Sequence, residues 1–211
     1  MTERVSIAAD GPEAARAALE RCIGAGGIAV FPADGLYGLA CDPLSEAAVA
    51  RIQSLKGRDD RKPSAVMYFS PLAMRELVSE MGSRTRDAAA ALLPGAVTLV
   101  IANPRGRYPL ACREDPERLG VRLIEGPLAG AMTPVFQTSA NSSGAPAPHR
   151  FEDLDPGIAA GVELAIDGGE LTGAPSTVVD LTRIDDDGSW WVLREGGLPA
   201  QRLEWLLGGL D

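Results

Sequence analysis

Short apolar runs typical of buried strands alternate along the chain with amphipathic stretches typical of helices. The helical stretches concentrate in the first half, and strand-like runs dominate the second half. This irregular interleaving favours an α/β or α+β fold with a mixed sheet over a regular doubly wound sheet. The strand predictions that matter most for the site are Ile28–Phe31, Ala65–Phe69, Val97–Ala102, Val121–Leu123 and Thr177–Leu181.

Capping and breaking residues set several element boundaries. Ser45 is predicted to cap a helix whose buried positions include Val49 and Ile52, and which ends near Lys56. The glycine-bearing segment Pro32–Leu39 is predicted to be a tight connection, because Pro32 is expected to end the preceding strand. The stretch Asn103–Arg118, rich in Pro, Arg and Glu, is predicted to be a loop.

The chain has 211 residues, which fits one domain spanning 1–211. Its net charge of −9 argues against broad, non-specific binding to nucleic acid, which depends on many Lys and Arg residues. Three cysteines without a CxxC pair indicate neither a disulfide framework nor a zinc site, so we expect no protein-bound metal. No secretory signal or membrane-spanning run is recognisable, and we expect a cytoplasmic protein without membrane contact.

A dense polar stretch, Thr138–Gly144, follows the apolar run Pro134–Phe136. Its hydroxyls, its amide and its glycine are donors and acceptors suited to phosphate or carboxylate oxygens. The same residue types are also common in ordinary polar turns. A second stretch, Lys56-Gly57-Arg58, places two cations on a turn, although cations are also favoured at a helix C-terminus for electrostatic reasons. Together the two stretches favour a site for a small anion.

Arg122 is the third candidate, because it stands between apolar neighbours on a short predicted strand. An arginine in that position either extends to the surface or is held inside by an anion. The chain contains no GxxxxGK[ST], HExxH or GxSxG motif, and its single histidine, His149, lies in a Pro-rich stretch. Chemistry based on charge neutralisation at a phosphate therefore fits better than acid–base catalysis by histidine.

The ordered set of these motifs resembles the YrdC-like family, the threonylcarbamoyl-AMP synthases. The resemblance extends from about Ile23 to Gly196. The segments that carry it are Lys56-Gly57-Arg58, Lys62-Pro63, Pro94-Gly95, Thr98-Leu99-Val100, Gly120-Val121-Arg122, Ser139-Ala140-Asn141, Ser143-Gly144, Pro175–Asp180 and Leu193–Gly196. The resemblance implies a twisted mixed sheet flanked by helices, with a large, positively charged concave cavity.

The resemblance also implies an activity: condensation of L-threonine, bicarbonate and ATP into threonylcarbamoyl-AMP with release of pyrophosphate. A separate tRNA-modifying transferase complex would use the product, weak contact with RNA is conceivable, and Mg²⁺ would arrive with the ATP. By resemblance, the residues with catalytic roles are Lys56, Arg58, Ser139 and Asn141. Those that bind ATP are Arg58, Lys62, Ser139 and Arg194, and those that bind the amino acid are Gly35, Met67, Arg122 and Ser176.

Two positions depart from the family pattern on the amino-acid side. Gly35 replaces a threonine that usually contacts the amino acid, and Met67 stands where a histidine is frequent. A third departure is Ala147, where a small serine is usual. These changes leave two other hypotheses open: a diverged relative that makes another carbamoyl or acyl adenylate, and a non-catalytic protein that binds RNA or a nucleotide.

Overall fold

The computed structural model describes residues 1–57 and 63–209, so Arg58 and Lys62 lie outside the described residues. Strands from both halves of the chain form one sheet. They are β1 (Glu3–Ser6), β2 (Ala29–Ala33), β3 (Leu36–Cys41), β4 (Ala65–Tyr68), β5 (Val97–Ala102), β6 (Arg118–Leu123), β7 (Val135–Ser139), β8 (Leu164–Asp167), β9 (Thr177–Asp180) and β10 (Trp191–Arg194).

The ten strands follow the order β1-β8-β2-β3-β7-β4-β6-β5-β9-β10. Parallel pairs (β1 with β8, β2 with β8, β4 with β6, and β5 with β9) are mixed with antiparallel pairs. This order brings β7, which precedes the polar stretch, between β3 and β4 at the middle of the sheet. The prediction of a mixed parallel and antiparallel sheet is confirmed.

Helices cover the sheet from both sides. They are α1 (Ile7–Asp10), α2 (Pro12–Gly24), α3 (Glu46–Leu55), α4 (Pro71–Glu80), α5 (Ser83–Leu92), α6 (Pro109–Cys112), α7 (Pro156–Ala160), α8 (Ile184–Asp187) and α9 (Ala200–Leu207). Ser45 caps α3 as predicted, with its hydroxyl accepting a hydrogen bond from Ala48 N at 3.2 Å. Within the described chain, no helix is long and apolar enough to cross a membrane.

The two faces of the sheet are covered differently. On one face, alternate strand residues such as Val66, Tyr68 and Val121 pack in a large core with apolar residues of α3, α4, α5 and α9. On the other face, a smaller core packs α2 against several strands and includes Met67 and Val135. This smaller core covers only part of its face, and the uncovered part over the central strands is a cavity.

Two connections differ from the sequence prediction. Pro32 does not end a strand, because β2 continues to Ala33 and turns through Asp34 and Gly35 into β3. This antiparallel hairpin replaces the predicted connection Pro32–Leu39. The predicted loop Asn103–Arg118 contains the short helix α6, and Asn103 organises it by donating hydrogen bonds from Nδ2 to Arg107 O and Pro116 O, each at 2.9 Å.

Candidate active site

The cavity lies over the central strands and has a volume of about 610 Å³, which is within the range typical of small-ligand sites. Its floor is hollow because Ala65 and Gly120 present little or no side chain there. A Cβ added at Gly120 would approach its nearest neighbour, Ser64 O, at 3.4 Å, an ordinary van der Waals contact, and Gly120 lines the cavity. Three arginines stand around this floor: Arg118, Arg122 and Arg194.

Arg122 is almost completely buried, with 4% of its surface exposed. Its Nη2 forms an ion pair with the carboxylate of Asp34, and its Nη1 lies 3.3 Å from Gln137 Oε1. Its Nε is buried and has no hydrogen-bond partner within residues 1–57 and 63–209. A buried donor without a partner is costly, so this guanidinium can donate one more hydrogen bond, from Nε to an acceptor.

Burial dominates the electrostatics of this ion pair. Desolvation lowers the pKa of Arg122, Asp34 opposes that shift, and the positive charge of Arg194 adds to it. Desolvation also raises the pKa of the Asp34 carboxyl, against the attraction of Arg122, and the charge of Glu125 raises it further. Both partners are therefore shifted toward their neutral forms, which means that their mutual attraction does not fully offset the loss of hydration.

The turn that carries Asp34 is shaped by backbone constraints. Asp34 has a φ of 68°, in the left-handed region that Asp tolerates better than most residues. At Gly35 the constraint is space: an added Cβ would lie 2.1 Å from Ala174 O and 2.6 Å from Thr172 Oγ1. Gly35 O also accepts a hydrogen bond from Gly173 N at 2.9 Å. Gly35 is therefore needed because the 172–174 segment packs directly against the turn.

Ser176 and Arg194 come together on the opposite wall. Arg194 Nη2 donates to Ser176 O at 2.8 Å and to Ser176 Oγ at 3.2 Å, and the hydroxyls of Ser176 and Thr98 are 2.8 Å apart. Partial burial lowers the pKa of Arg194. Two residues predicted for different substrates thus share one hydrogen-bonded chain on the cavity wall.

Lys56 lies behind the cavity wall and does not line it. Its side chain is 2% exposed, and Nζ donates to the carbonyl oxygens of Ser139 and Asn141, the latter at 2.8 Å. The backbone adds a further link, since Ser143 N donates to Lys56 O at 2.8 Å. The predicted proximity of the basic turn and the polar stretch is thus present, but the ammonium of Lys56 holds the protein's own carbonyl groups.

The polar stretch is organised largely by internal hydrogen bonds. Ser139 Oγ donates to Asn141 Oδ1, and Asn141 Nδ2 donates to Ala145 O at 2.6 Å and to Ser142 O at 3.0 Å. Ser139 lines the cavity at the end of β7. Asn141 closes the loop that holds Ser139 in place, and it does not line the cavity.

Met67 is fully buried in the smaller core, beside the cavity but outside its lining. It is the register partner of Arg122 on the parallel strands β4 and β6, so the two side chains share one face of the sheet. The other residues predicted for the amino acid lie nearer the open space: Arg122 and Ser176 line the cavity, and Gly35 belongs to the turn at its edge.

Sequence reasoning missed three groups at this site: Asp34 as an ion-pair partner, Gln137 and Arg118. Arg118 forms an ion pair with Asp180, and its Nε lies 3.6 Å from Asp115 Oδ2. A period-two pattern could have indicated it, because Arg118, Gly120 and Arg122 alternate along β6 and so face the same side.

Fold and site together define an α/β protein with an arginine-lined cavity over the centre of a mixed sheet. Residues 21–196 match the Sua5/YciO/YrdC family, which carries the description "Telomere recombination". The chain belongs to this family, as the sequence resemblance predicted.

Curated relatives are named for one activity. The chain is 32% identical over 195 residues to the threonylcarbamoyl-AMP synthase of Pyrococcus abyssi, covering 87% of this chain and 54% of that protein. It is 30% identical over 177 residues to the threonylcarbamoyl-AMP synthase of Xanthomonas euvesicatoria pv. vesicatoria, covering 81% of this chain and 91% of the relative. The chain thus spans about half of the archaeal relative and most of the bacterial one.

Solved structures resemble the whole chain. A crystal structure of P. abyssi Sua5 complexed with L-threonine superposes with a TM-score of 0.81 and 28% identity, covering 100% of this chain and 62% of that one. E. coli YciO superposes with a TM-score of 0.77 and 25% identity, covering 93% of this chain and 96% of that one.

Proposed function

We propose that this protein is a threonylcarbamoyl-AMP synthase that acts in the cytoplasm as one domain. Arg122 is the observation that carries the proposal: a buried arginine with an unpartnered Nε on the wall of a cavity that also contains Arg118 and Arg194. The names of the relatives support the reaction, and the threonine complex of the archaeal Sua5 supports an amino-acid ligand for this fold.

The chemistry requires fixed cations. The amine of threonine and bicarbonate form a carbamate and water, and a carbamate oxygen then attacks the α-phosphorus of ATP. A new P–O bond forms, the bond to the β,γ-phosphates breaks, and pyrophosphate leaves. Because two anions must meet, positioning and charge neutralisation contribute most to the rate.

In this proposal the two walls of the cavity bind different substrates. Arg122 binds the amino-acid carboxylate through Nε, because that donor is the one left without a protein partner. Arg194 and Ser139 contact the nucleotide. Ser176 is hydrogen-bonded to Arg194 and so connects the two halves, completing the carboxylate site. Assignment of Arg58 and Lys62 to the phosphates stays a prediction from the family resemblance.

Lys56 and Asn141 take a supporting role in this proposal. Lys56 directs its ammonium at carbonyl oxygens of the 139–141 segment, and Asn141 closes the loop that follows. Both residues hold Ser139 at the end of β7. We therefore assign them to positioning the nucleotide site, whereas the sequence had suggested direct catalytic contact.

The remaining substrates and partners follow from the reaction. ATP is consumed as a substrate, and Mg²⁺ carried by its phosphates would neutralise part of their charge. The described residues contain no group of three or more His, Cys, Asp or Glu side chains that could hold a metal ion. The product would be used by a tRNA-modifying transferase complex, and this protein would contact RNA only weakly.

Pyrophosphate release tests the proposal. Purified protein with ATP and bicarbonate should release pyrophosphate when L-threonine is added, and omission of bicarbonate should abolish the release. Serine and valine should be assayed in parallel. Since Gly35 and Met67 provide neither a hydroxyl nor an imidazole, we expect only a modest preference for threonine over serine.

Three outcomes are informative. Release that depends on threonine supports the synthase. Release with another amino acid but not with threonine would favour the diverged relative that makes a different adenylate. Absence of release with every amino acid, from protein that unfolds cooperatively and binds ATP, would contradict the proposal and favour a non-catalytic binding protein.

A further inference from the structure

The side chain that pairs with Arg122 is the carboxylate of Asp34, and the proposed reaction assigns it no role. Asp34 pairs with Arg122 Nη2 from the turn between β2 and β3. The pair is desolvated: 5% of the Arg122 side chain and 20% of the Asp34 side chain are exposed. A carboxylate ligand that bound Arg122 alone would therefore place two negative charges beside one guanidinium in a poorly hydrated site, which is unfavourable.

A zwitterion removes this difficulty. The carboxylate of an α-amino acid can accept from the unpartnered Nε of Arg122, and its ammonium can donate to Asp34. Arginine, ligand carboxylate, ligand ammonium and aspartate then alternate in sign, and the charges sum to zero. The Arg122–Asp34 pair is in this sense complementary to the charge pattern of a free amino acid.

From this arrangement we infer that Asp34 binds the substrate ammonium and takes a proton from it. This inference rests on the proposed function and extends it by naming the group that generates the nucleophile. An ammonium has no lone pair and cannot attack bicarbonate, so a proton must leave the nitrogen first. The proton moves from nitrogen to Asp34 Oδ, and the freed lone pair forms the C–N bond to the bicarbonate carbon. The bond from that carbon to the bicarbonate hydroxyl breaks, and the hydroxyl leaves as water with a second proton from the nitrogen. Asp34 then returns its proton to solvent.

The surroundings of Asp34 suit a proton acceptor. Arg122 on β6 attracts its negative charge, whereas Glu125, just beyond β6, repels it. Burial is the largest influence, and together these effects raise the pKa of Asp34 above its ordinary value of 3.8. A raised pKa brings a carboxylate closer to the proton affinity of an amine, which makes proton transfer less unfavourable.

Ligand binding tests the first half of the inference without requiring turnover. Titration calorimetry should compare L-threonine with its deamino analogue, 3-hydroxybutanoate, which keeps the carboxylate and the side-chain hydroxyl and methyl groups but has no ammonium. We expect the wild type to bind threonine at least 10-fold more tightly than the analogue, and Asp34→Asn to bind the two alike. Glu125→Gln is the matched control, because it removes a nearby charge without removing the pair, and it should keep the discrimination.

Turnover tests the second half. Pyrophosphate release by Asp34→Asn should fall by about 100-fold, the lower range for loss of a general base. In the wild type, kcat/KM should rise with pH while Asp34 deprotonates, whereas the residual activity of Asp34→Asn should follow deprotonation of the substrate amine alone. Asp34→Glu keeps a carboxylate and should recover part of the rate, which a purely structural role would not produce.

The binding and turnover experiments distinguish a failure of this inference from a failure of the proposed function. Turnover with threonine in the wild type, together with equal affinity for threonine and the deamino analogue, would overturn the inference and leave the synthase intact. Tighter binding of both ligands to Asp34→Asn would also overturn it, since Asp34 would then be a competitor for Arg122. No turnover in the wild type would contradict the proposed function, while the two-ligand comparison would still decide whether Asp34 binds an ammonium.

Discussion

Lys56 and Arg122 are both buried cations, and their surroundings differ. Lys56 donates to carbonyl oxygens of the protein, so its charge is used to join α3 to the segment after β7. Arg122 has one carboxylate partner, one long contact and one donor without a described partner. Burial alone therefore does not distinguish a structural cation from a ligand-binding one, and the unused donor is what makes Arg122 the candidate for the ligand.

Replacement of Lys56 should have the largest effect, and it should act on stability. Lys56→Met keeps the approximate length of the side chain but leaves the carbonyl groups of Ser139 and Asn141 without this donor. Each buried acceptor left unpaired costs about 1–3 kcal/mol, so we expect the free energy of unfolding to fall by about 3 kcal/mol. Urea denaturation measures it.

The matched control is on the same helix. Arg51 pairs with Glu163 at 2.6 Å, and both side chains are about half exposed. Exposed ion pairs contribute about 0–1 kcal/mol, so Arg51→Met should be nearly neutral. Equal losses in Lys56→Met and Arg51→Met would mean that Lys56 does not support the segment after β7.

Arg122→Lys should act mainly on ligand affinity. A lysine keeps the positive charge near Asp34 but cannot reproduce the planar fork, and the Nε donor is lost. Loss of a charge-assisted hydrogen bond of about 2 kcal/mol corresponds to roughly 30-fold weaker binding of L-threonine by calorimetry. Arg105→Lys, at an exposed arginine that pairs with Glu80, should bind as the wild type does. Unchanged affinity in Arg122→Lys would remove Arg122 from the amino-acid site.

Gly35→Ala should have a smaller effect, on stability and on threonine binding beside Arg122. The added Cβ meets Ala174 O at 2.1 Å, so the 172–174 segment must move. Overpacking of this kind costs about 1–3 kcal/mol, and we expect a loss in the lower part of that range together with weaker threonine binding. Gly24→Ala, where the added Cβ has no neighbour within 4 Å, is the control. Normal threonine binding by Gly35→Ala would show that this segment does not shape the site.

The smallest expected effect is a pH dependence of stability. Because the folded-state pKa of Asp34 is raised, the folded protein binds more protons than the unfolded chain between the ordinary value of 3.8 and the raised one. The contribution of this carboxyl to the free energy of unfolding should therefore decrease as pH rises through that window and stay constant above it. Denaturation curves across pH for the wild type and Asp34→Asn isolate this contribution. A wild-type profile parallel to that of the variant would contradict the raised pKa.

Much of the fold could be predicted from local patterns. Ser45 caps its helix as predicted, and the β-prone run Val97–Ala102 is a strand with the predicted bounds. The hairpin around Asp34 was missed, because proline inside β2 was interpreted as a strand end. An Asp-Gly pair between apolar runs is a hairpin signal, and the pair Asp34-Gly35 therefore predicts the turn that joins β2 to β3.

The site could be predicted only in part, because its decisive contacts are long-range. The sequence predicts that Arg122 either extends to the surface or is held inside by an anion, and in the structure the buried Arg122 pairs with Asp34, 88 positions away. Lys56 reaches Ser139 across 83 positions. The partner of a buried cation depends on how distant segments pack in the fold. Pattern and spacing therefore could not show that Lys56 donates to backbone carbonyls, whereas Arg122 keeps one donor without a described partner.

The most direct test of this distinction is the side-chain ¹H–¹⁵N spectrum of arginine-labelled protein. The Nε–H signal of Arg122 can be assigned by its absence in Arg122→Lys. We predict that this signal shifts on saturation with L-threonine and does not shift with threoninol, which lacks the carboxylate. An unmoved Arg122 signal, in a sample where calorimetry shows bound threonine, would contradict the account.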